Sequence, residues 1–233
     1  DPVLRDAIAF DALQTWMRAG LLDGPTLHAL RGDLLATLAA PADAAGFRQP
    51  FAALVLAEVA RVDRLQPWLS ADERDALVTQ AARYLAGVHD RRGYDAVEGW
   101  RHGVAHGADL MLQLALNPAL RREQALLMLQ AIASQVRPAG DHAWRFGEPA
   151  RLAAPVFHLA RREWLGAEDW QRWFEGLTQR PSGEAGGSPA SLARRHNLHA
   201  FFTTLYTTVQ ESTVPEPRAR LLPALRQALR AAD

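Results

Sequence analysis

The chain has 233 residues, long for one domain and short for two, so a single domain or one continuous repeat array is expected. It carries 26 basic and 26 acidic residues, a formal charge of zero that argues against a generally basic nucleic-acid binder and against an acidic tail protein. Cysteine is absent, which excludes disulfide scaffolds, iron–sulfur clusters, cysteine-based zinc sites and thiol catalysis.

Composition also sets the fold class. Alanine and leucine number 44 and 34, against 12 valines and 2 isoleucines. Good helix formers dominate and β-branched aliphatics are scarce, so the chain reads as all-α. The longest unbroken apolar run, Phe51 to Ala57, is too short to span a bilayer. The chain opens at Asp1 without a methionine, which reads as a trimmed or processed start and leaves both cytoplasm and periplasm open.

In chain order, a first helix is expected over about 2–19, stopped at Gly20. A second opens at Pro25 and ends before Pro41, and a third covers about 49–66 and stops at Pro67. Ser70 with Glu73 three residues on is a capping box that opens a helix reaching about Val88. After the turn at 89–94 a helix is expected over about 97–116, ended by Asn117-Pro118, and another over 119–136. Helices near 148–165, 167–178, 189–212 and 217–230 complete the set, with the glycine-bearing loop 180–189 between the second and third of these.

These ten helices group into five hairpins, near 2–39, 49–88, 97–136, 148–178 and 189–231. Two helices every roughly 40–47 residues is the period of HEAT- and armadillo-like repeats. The expected architecture is therefore one domain, a right-handed α-α superhelix of about five hairpins; a helical bundle is the competing arrangement.

The segment around 90–113 has unusual chemistry. On a helix starting near 97, Glu98, His102, His106, Asp109 and Gln113 fall within an arc of about 80°. Gly99, Gly103 and Gly107 recur every four residues beside that stripe, where a neighbouring helix could approach closely. Two imidazoles and a carboxylate on one face suit a facial metal site, or an acid/base pair with Asp109 orienting an imidazole. The glutamate that zinc proteases place after the first histidine is missing, since Gly103 stands there. The plainer alternative is a buried polar seam whose histidines bond to neighbouring elements.

The same stretch carries a resemblance. Asp90, Arg92, Gly93 and Tyr94, then Gly99, Trp100 and His102, then Ala105, His106 and Asp109, resemble the signature of an uncharacterised bacterial family. That family is a domain of unknown function with HEAT-like helical repeats. The resemblance implies the fold and implies no activity.

His106, His158 and His199 sit nine or ten residues into their expected helices and could line one ridge of a repeat array; three unrelated polar positions would look the same. His28 and His89 read as surface residues. Trp170, Trp173 and Phe174 have core-stripe spacing, whereas Trp144 and Phe146 fall in a loop, where they cap the core or line a groove mouth.

Nucleotide-binding loops and nucleophile elbows are absent. The functional expectation is a monomeric binding or scaffold protein for a protein or peptide, its candidate motif Asp90, Arg92, Tyr94, Glu98, Trp100, His158 and His199. The alternative is a hydrolase using His102, His106 and Asp109, with a divalent metal as the one cofactor the pattern admits.

Overall fold

The computed structural model describes residues 1–183 and 185–232. They form an all-α fold: a π-helical opening stretch, Val3–Phe10, followed by α1 (Asp11–Arg18), α2 (Gly24–Ala39), α3 (Arg48–Leu65), α4 (Ala71–Gly87), α5 (Gly103–Leu116), α6 (Arg122–Val136), α7 (Glu148–Leu159), α8 (Ala167–Thr178), α9 (Pro189–Glu211) and α10 (Pro215–Ala232). Between α4 and α5 a two-stranded antiparallel hairpin pairs β1 (Tyr94–Asp95) with β2 (Gly99–Trp100), Tyr94 opposite Trp100. No helix among the described residues is long and apolar enough to cross a membrane.

The helix boundaries follow local chemistry. Ser70 accepts a hydrogen bond from the Glu73 N–H while the Glu73 carboxylate accepts from the Ser70 N–H, so both arms of the capping box are made. Asp23 and Ser188 cap α2 and α9 by the side-chain arm alone, accepting from the Thr26 and Ser191 N–H groups, and each is followed by a proline early in its helix, where the missing N–H costs nothing.

Helix α5 departs from expectation. It begins at Gly103, six residues later than the pattern predicts, because residues 94–100 are drawn into the hairpin. The ladder continues past the strands: the Arg101 N–H donates to the Gly93 carbonyl and the His102 N–H to that of Arg92. Glu98, Trp100 and His102 are therefore outside the helix, and the continuous polar stripe does not form. Helix α7 likewise stops at Leu159, short of 165, and α6 starts at Arg122 instead of 119.

The chain divides into two compact units, Asp1–Ala131 and the residues from Ile132 onward, with the division inside α6. In the first, α3 is the central element, packing on α1, α2 and most extensively on α5, while α4 packs on α2 and α5. Alanines at 52, 53, 57 and 60 face the core of this unit with Val55, Leu56 and Val59. Their small side chains let helices come close, and α5 answers with glycines. A Cβ on Gly107 would meet Leu85 and Tyr84 of α4 at 3.0 and 3.2 Å, and one on Gly103 would meet Tyr84 and Val88 at 3.3 Å. These two glycines admit α4, whereas Gly99 serves the hairpin with φ +77°.

In the second unit α7 packs on α9, α8 on α10, and α9 on α10. Trp170, Phe174, Phe201 and Phe202 are its fully buried aromatic core, in edge-on and tilted contacts, and Trp173 is half-buried beside them. Trp144 is a core residue as well. Its indole N–H donates to the Gln135 carbonyl, and its backbone N–H to the buried Asn197 side chain.

Candidate functional site

The residues with the most chemistry gather in the first unit, around a cavity of about 480 Å³. Five segments meet there: the end of α2 (Leu38, Ala39), the α2–α3 loop (Ala42, Asp43, Gly46), the start of α3 (Gln49, Pro50), the last turns of α4 (Gln80, Arg83, Tyr84, Gly87), and the connection to α5 (Val88, His89, Asp90, Arg101, Gly103).

The α2–α3 loop is built around Asp43. Its carboxylate accepts from the backbone N–H groups of Gly46, Phe47 and Arg48 at 2.9, 3.2 and 3.1 Å. Burial alone would raise its pKa, but those donors together hold it below the usual carboxylate value. The N–H groups of Gly46, Phe47 and Arg48, which lead into α3, are therefore spoken for. Gly46, at φ +76°, lets the chain turn and leaves room for what lies behind it. A Cβ there would collide with the Asp90 carboxylate and come within 2.7 Å of the Arg92 guanidinium.

Asp90 and Arg92 are a fork-to-fork pair, Nε to Oδ1 at 2.8 Å and Nη2 to Oδ2 at 2.6 Å. Arg92 also donates to the Ala44 carbonyl at 3.1 Å, so the pair pins the 89–93 turn onto the α2–α3 loop. Burial would raise the Asp90 pKa, and the hydrogen bonds from Arg92 more than reverse that. Arg101, almost fully buried, donates from Nε to the Ala45 carbonyl at 2.7 Å and from Nη2 to Glu98 at 2.5 Å. Its guanidinium covers one side of the Phe47 ring, 4.5 Å from the centroid, and Arg5 lies 4.1 Å from the same centroid. Tyr84 closes the cavity's inner wall. Burial, with a smaller contribution from Asp90, pushes its phenol well above the ordinary value of 10, and the neutral hydroxyl donates to the Gly103 carbonyl at 3.2 Å.

The remaining polar lining is different. Among the described residues, Arg83, His89 and Gln80 have no hydrogen-bond or ion-pair partner, and Arg83 and His89 are exposed.

Of the side chains the sequence singles out, Asp90 alone lines this cavity. Arg92 braces it from outside. Tyr94 and Trp100 face each other across the hairpin, rings 4.9 Å apart, and Trp100 stacks on His102 at 4.5 Å. His102 is left-handed, φ 54° and ψ 37°, the one non-glycine residue with positive φ among those described. Its ring meets His106 edge-on at 5.7 Å, and His106 meets Phe51 at 5.5 Å. His106 Nδ1 lies 4.0 Å from Asp109 Oδ2. Among the described residues no group of three or more His, Asp or Glu side chains is arranged to hold a metal ion. The three-ligand face expected of His102, His106 and Asp109 fails because His102 precedes the helix. Glu98 is in the hairpin turn, paired with Arg101. His158 is half-buried in α7 against Phe157, and His199 is exposed on α9 beside Thr203.

Sequence reasoning missed Asp43, Gly46, Arg83 and Arg101, and read His89 only as surface. The one local signal was the Asp43-x-x-Gly46 spacing, a turn signature between two helices.

No curated protein and no solved structure matches the chain. A family model described as "Protein of unknown function (DUF2785)" matches residues 34–207, which include every residue lining the cavity. The match covers well over half of the sequence, and the chain belongs to that family.

Proposed function

We propose that this chain is a helical-repeat binding protein of the HEAT- or armadillo-like kind, and that its first unit takes a small organic ligand in the cavity between α2, α3 and α4. The repeat reading is supported by the packing of helices two apart in sequence: α1 on α3, α3 on α5 and α2 on α4 in one unit, α7 on α9 and α8 on α10 in the other.

The observation that carries the binding reading is the cavity itself. Its volume is in the range of small-molecule sites, and small apolar walls converge with a few polar groups. Its walls are also fixed by a bonded frame: Asp43, the Asp90–Arg92 pair and Arg101 tie together the two loops that bound the cavity. A cavity of this size suits a small molecule better than the protein or peptide the repeat pattern suggests. Hydrolysis by His102, His106 and Asp109 is the less favoured reading, because none of the three lines the cavity.

Gly87 supplies the test. It lines the cavity at the end of α4, and a Cβ there meets nothing within 4 Å. Gly87→Trp should fill the space without disturbing the fold. Wild type and variant are dialysed against a metabolite extract, and retained compounds are identified by mass spectrometry. Compounds enriched by wild type and lost with Gly87→Trp are expected. Equal retention by both proteins, or none by either, overturns the reading.

A further inference from the structure

We infer that the ligand of this cavity is a small organic anion, a carboxylate or phosphate monoester with a short apolar portion, whose charged head is received by Arg83 and His89. The inference rests on the binding reading above and adds the chemical class.

The argument is a charge inventory of one cavity. Four charged side chains line it: Asp43, Asp90, Arg83 and Arg101. Both acids are fully engaged. Asp43 accepts three backbone N–H groups, and Asp90 is matched oxygen for nitrogen by Arg92, which also accounts for that arginine's strongest bonds. Arg101 is engaged as well, by Glu98 and the Ala45 carbonyl. Saturated acceptors have little left to offer a cationic ligand, and the depressed carboxylates will not protonate to become donors near neutral pH.

That leaves Arg83, whose five N–H donors have no protein acceptor among the described residues, with His89 and the Gln80 amide on the same lining. An arginine fork matches carboxylate and phosphate oxygens in pairs. Arg83 is exposed four residues before the end of α4, so the head group sits toward solvent. The tail then has Leu38, Ala39, Ala42, Pro50 and Val88 to lie against. Burying a few methylenes there would contribute roughly 0.8 kcal/mol each.

The test uses four probes with one hexyl tail and different heads: hexanoate, hexyl phosphate, hexanol and hexylammonium. Binding is read from the amide shifts of Gly87 and Gly103 in wild type, Arg83→Gln and Gly87→Trp. Arg83 is exposed and unpartnered, so Arg83→Gln should fold as wild type does. One or both anions should bind at least about tenfold tighter than hexanol and hexylammonium and lose about tenfold in Arg83→Gln. Hexanoate against hexyl phosphate then separates the two anion sources. Equal binding of all four heads, lost in Gly87→Trp, overturns the anion inference and leaves the cavity reading standing. So does anion binding unchanged by Arg83→Gln. If no probe binds while metabolites are still retained by wild type and lost with Gly87→Trp, this inference falls alone; if the dialysis is blank too, both fall.

Discussion

Two carboxylate networks in the first unit have nearly the same internal logic and opposite surroundings. Asp63, at the end of α3, accepts from the Trp68 and Leu69 N–H groups, from Arg74 through Nε and Nη2 at 2.9 and 3.1 Å, and from the Asn117 amide at 2.7 Å. It is 1% exposed, and the knot joins α3, the start of α4 and the end of α5. Asp90 is matched by Arg92 alone, and the pair joins two loops through the bond from Arg92 to the Ala44 carbonyl. Around Asp63 the space is filled by protein; beside Asp90 it is a cavity whose lining, among the described residues, also holds the unmatched Arg83 guanidinium and the unbonded His89 ring. Saturation alone therefore does not separate a structural acid from one at a binding site. The neighbouring volume and the unspent donors do.

The sharpest way to break that comparison is to remove the charge from the sealed network. Asp63→Asn leaves Arg74 buried without its counter-ion, and breaking such a pair costs about 3–5 kcal/mol. Urea unfolding should show a loss of that size, with cavity ligands affected only through stability. The pH dependence has a definite sign. Burial opposes ionisation of Asp63, but Arg74 and the other donors win, so its folded pKa lies below the ordinary value of 3.8. A depressed carboxylate stabilises fully above its unfolded pKa and loses that contribution as pH falls through the folded one. Wild-type stability should therefore decline on acidification below about 3.8, and the decline should be shallower in Asp63→Asn. Parallel acid limbs would mean the knot contributes no ionic stabilisation.

At the cavity network the corresponding lesion is smaller and should touch binding as well. Gly46→Ala places a Cβ against the Asp90–Arg92 pair and holds alanine in a left-handed conformation, which by itself costs about 1–2 kcal/mol. A total near 2 kcal/mol is expected in the same unfolding experiment, with hydrogen exchange rising in residues 42–46 because the loop loses its anchor. A loss of no more than the backbone cost, about 1 kcal/mol, with unchanged exchange in 42–46, would show that the pair swings aside freely, as an ordinary surface bridge does.

What was legible in the sequence sorts along the same line. Helix ends written in local chemistry were legible: the Ser70–Glu73 box and the exact span of α8. The start of α5 was not, since Val97 to His102 is compatible with a helix and the hairpin wins through the Tyr94–Trp100 and Asp95–Gly99 pairing and the bonds to Arg92 and Gly93, none of which helical spacing reveals. One glycine of the four-residue repeat belonged to that turn, and spacing could not say which. At the candidate site Asp90 was legible from its motif, whereas Asp43, Arg83 and His89 acquire meaning only when five segments meet.

Gly87 gives the smallest effect and the one with reversed sign. Its backbone is helical and its Cβ position is open, so an alanine there meets no obstacle. Gly-to-Ala changes at such positions stabilise by about 0.4–1 kcal/mol, by restricting the unfolded chain. Gly87→Ala should therefore raise the midpoint of thermal unfolding, where Gly46→Ala lowers it. Glycine at position 87 forgoes that stability while bounding the cavity, a trade that makes sense if the volume is used. A Gly87→Ala protein that is more stable but binds the hexyl anions more weakly would tie the glycine to the ligand. If it is more stable with undiminished binding, the wall at this point has room to spare, and the ligand lies toward Leu38 and Pro50 instead.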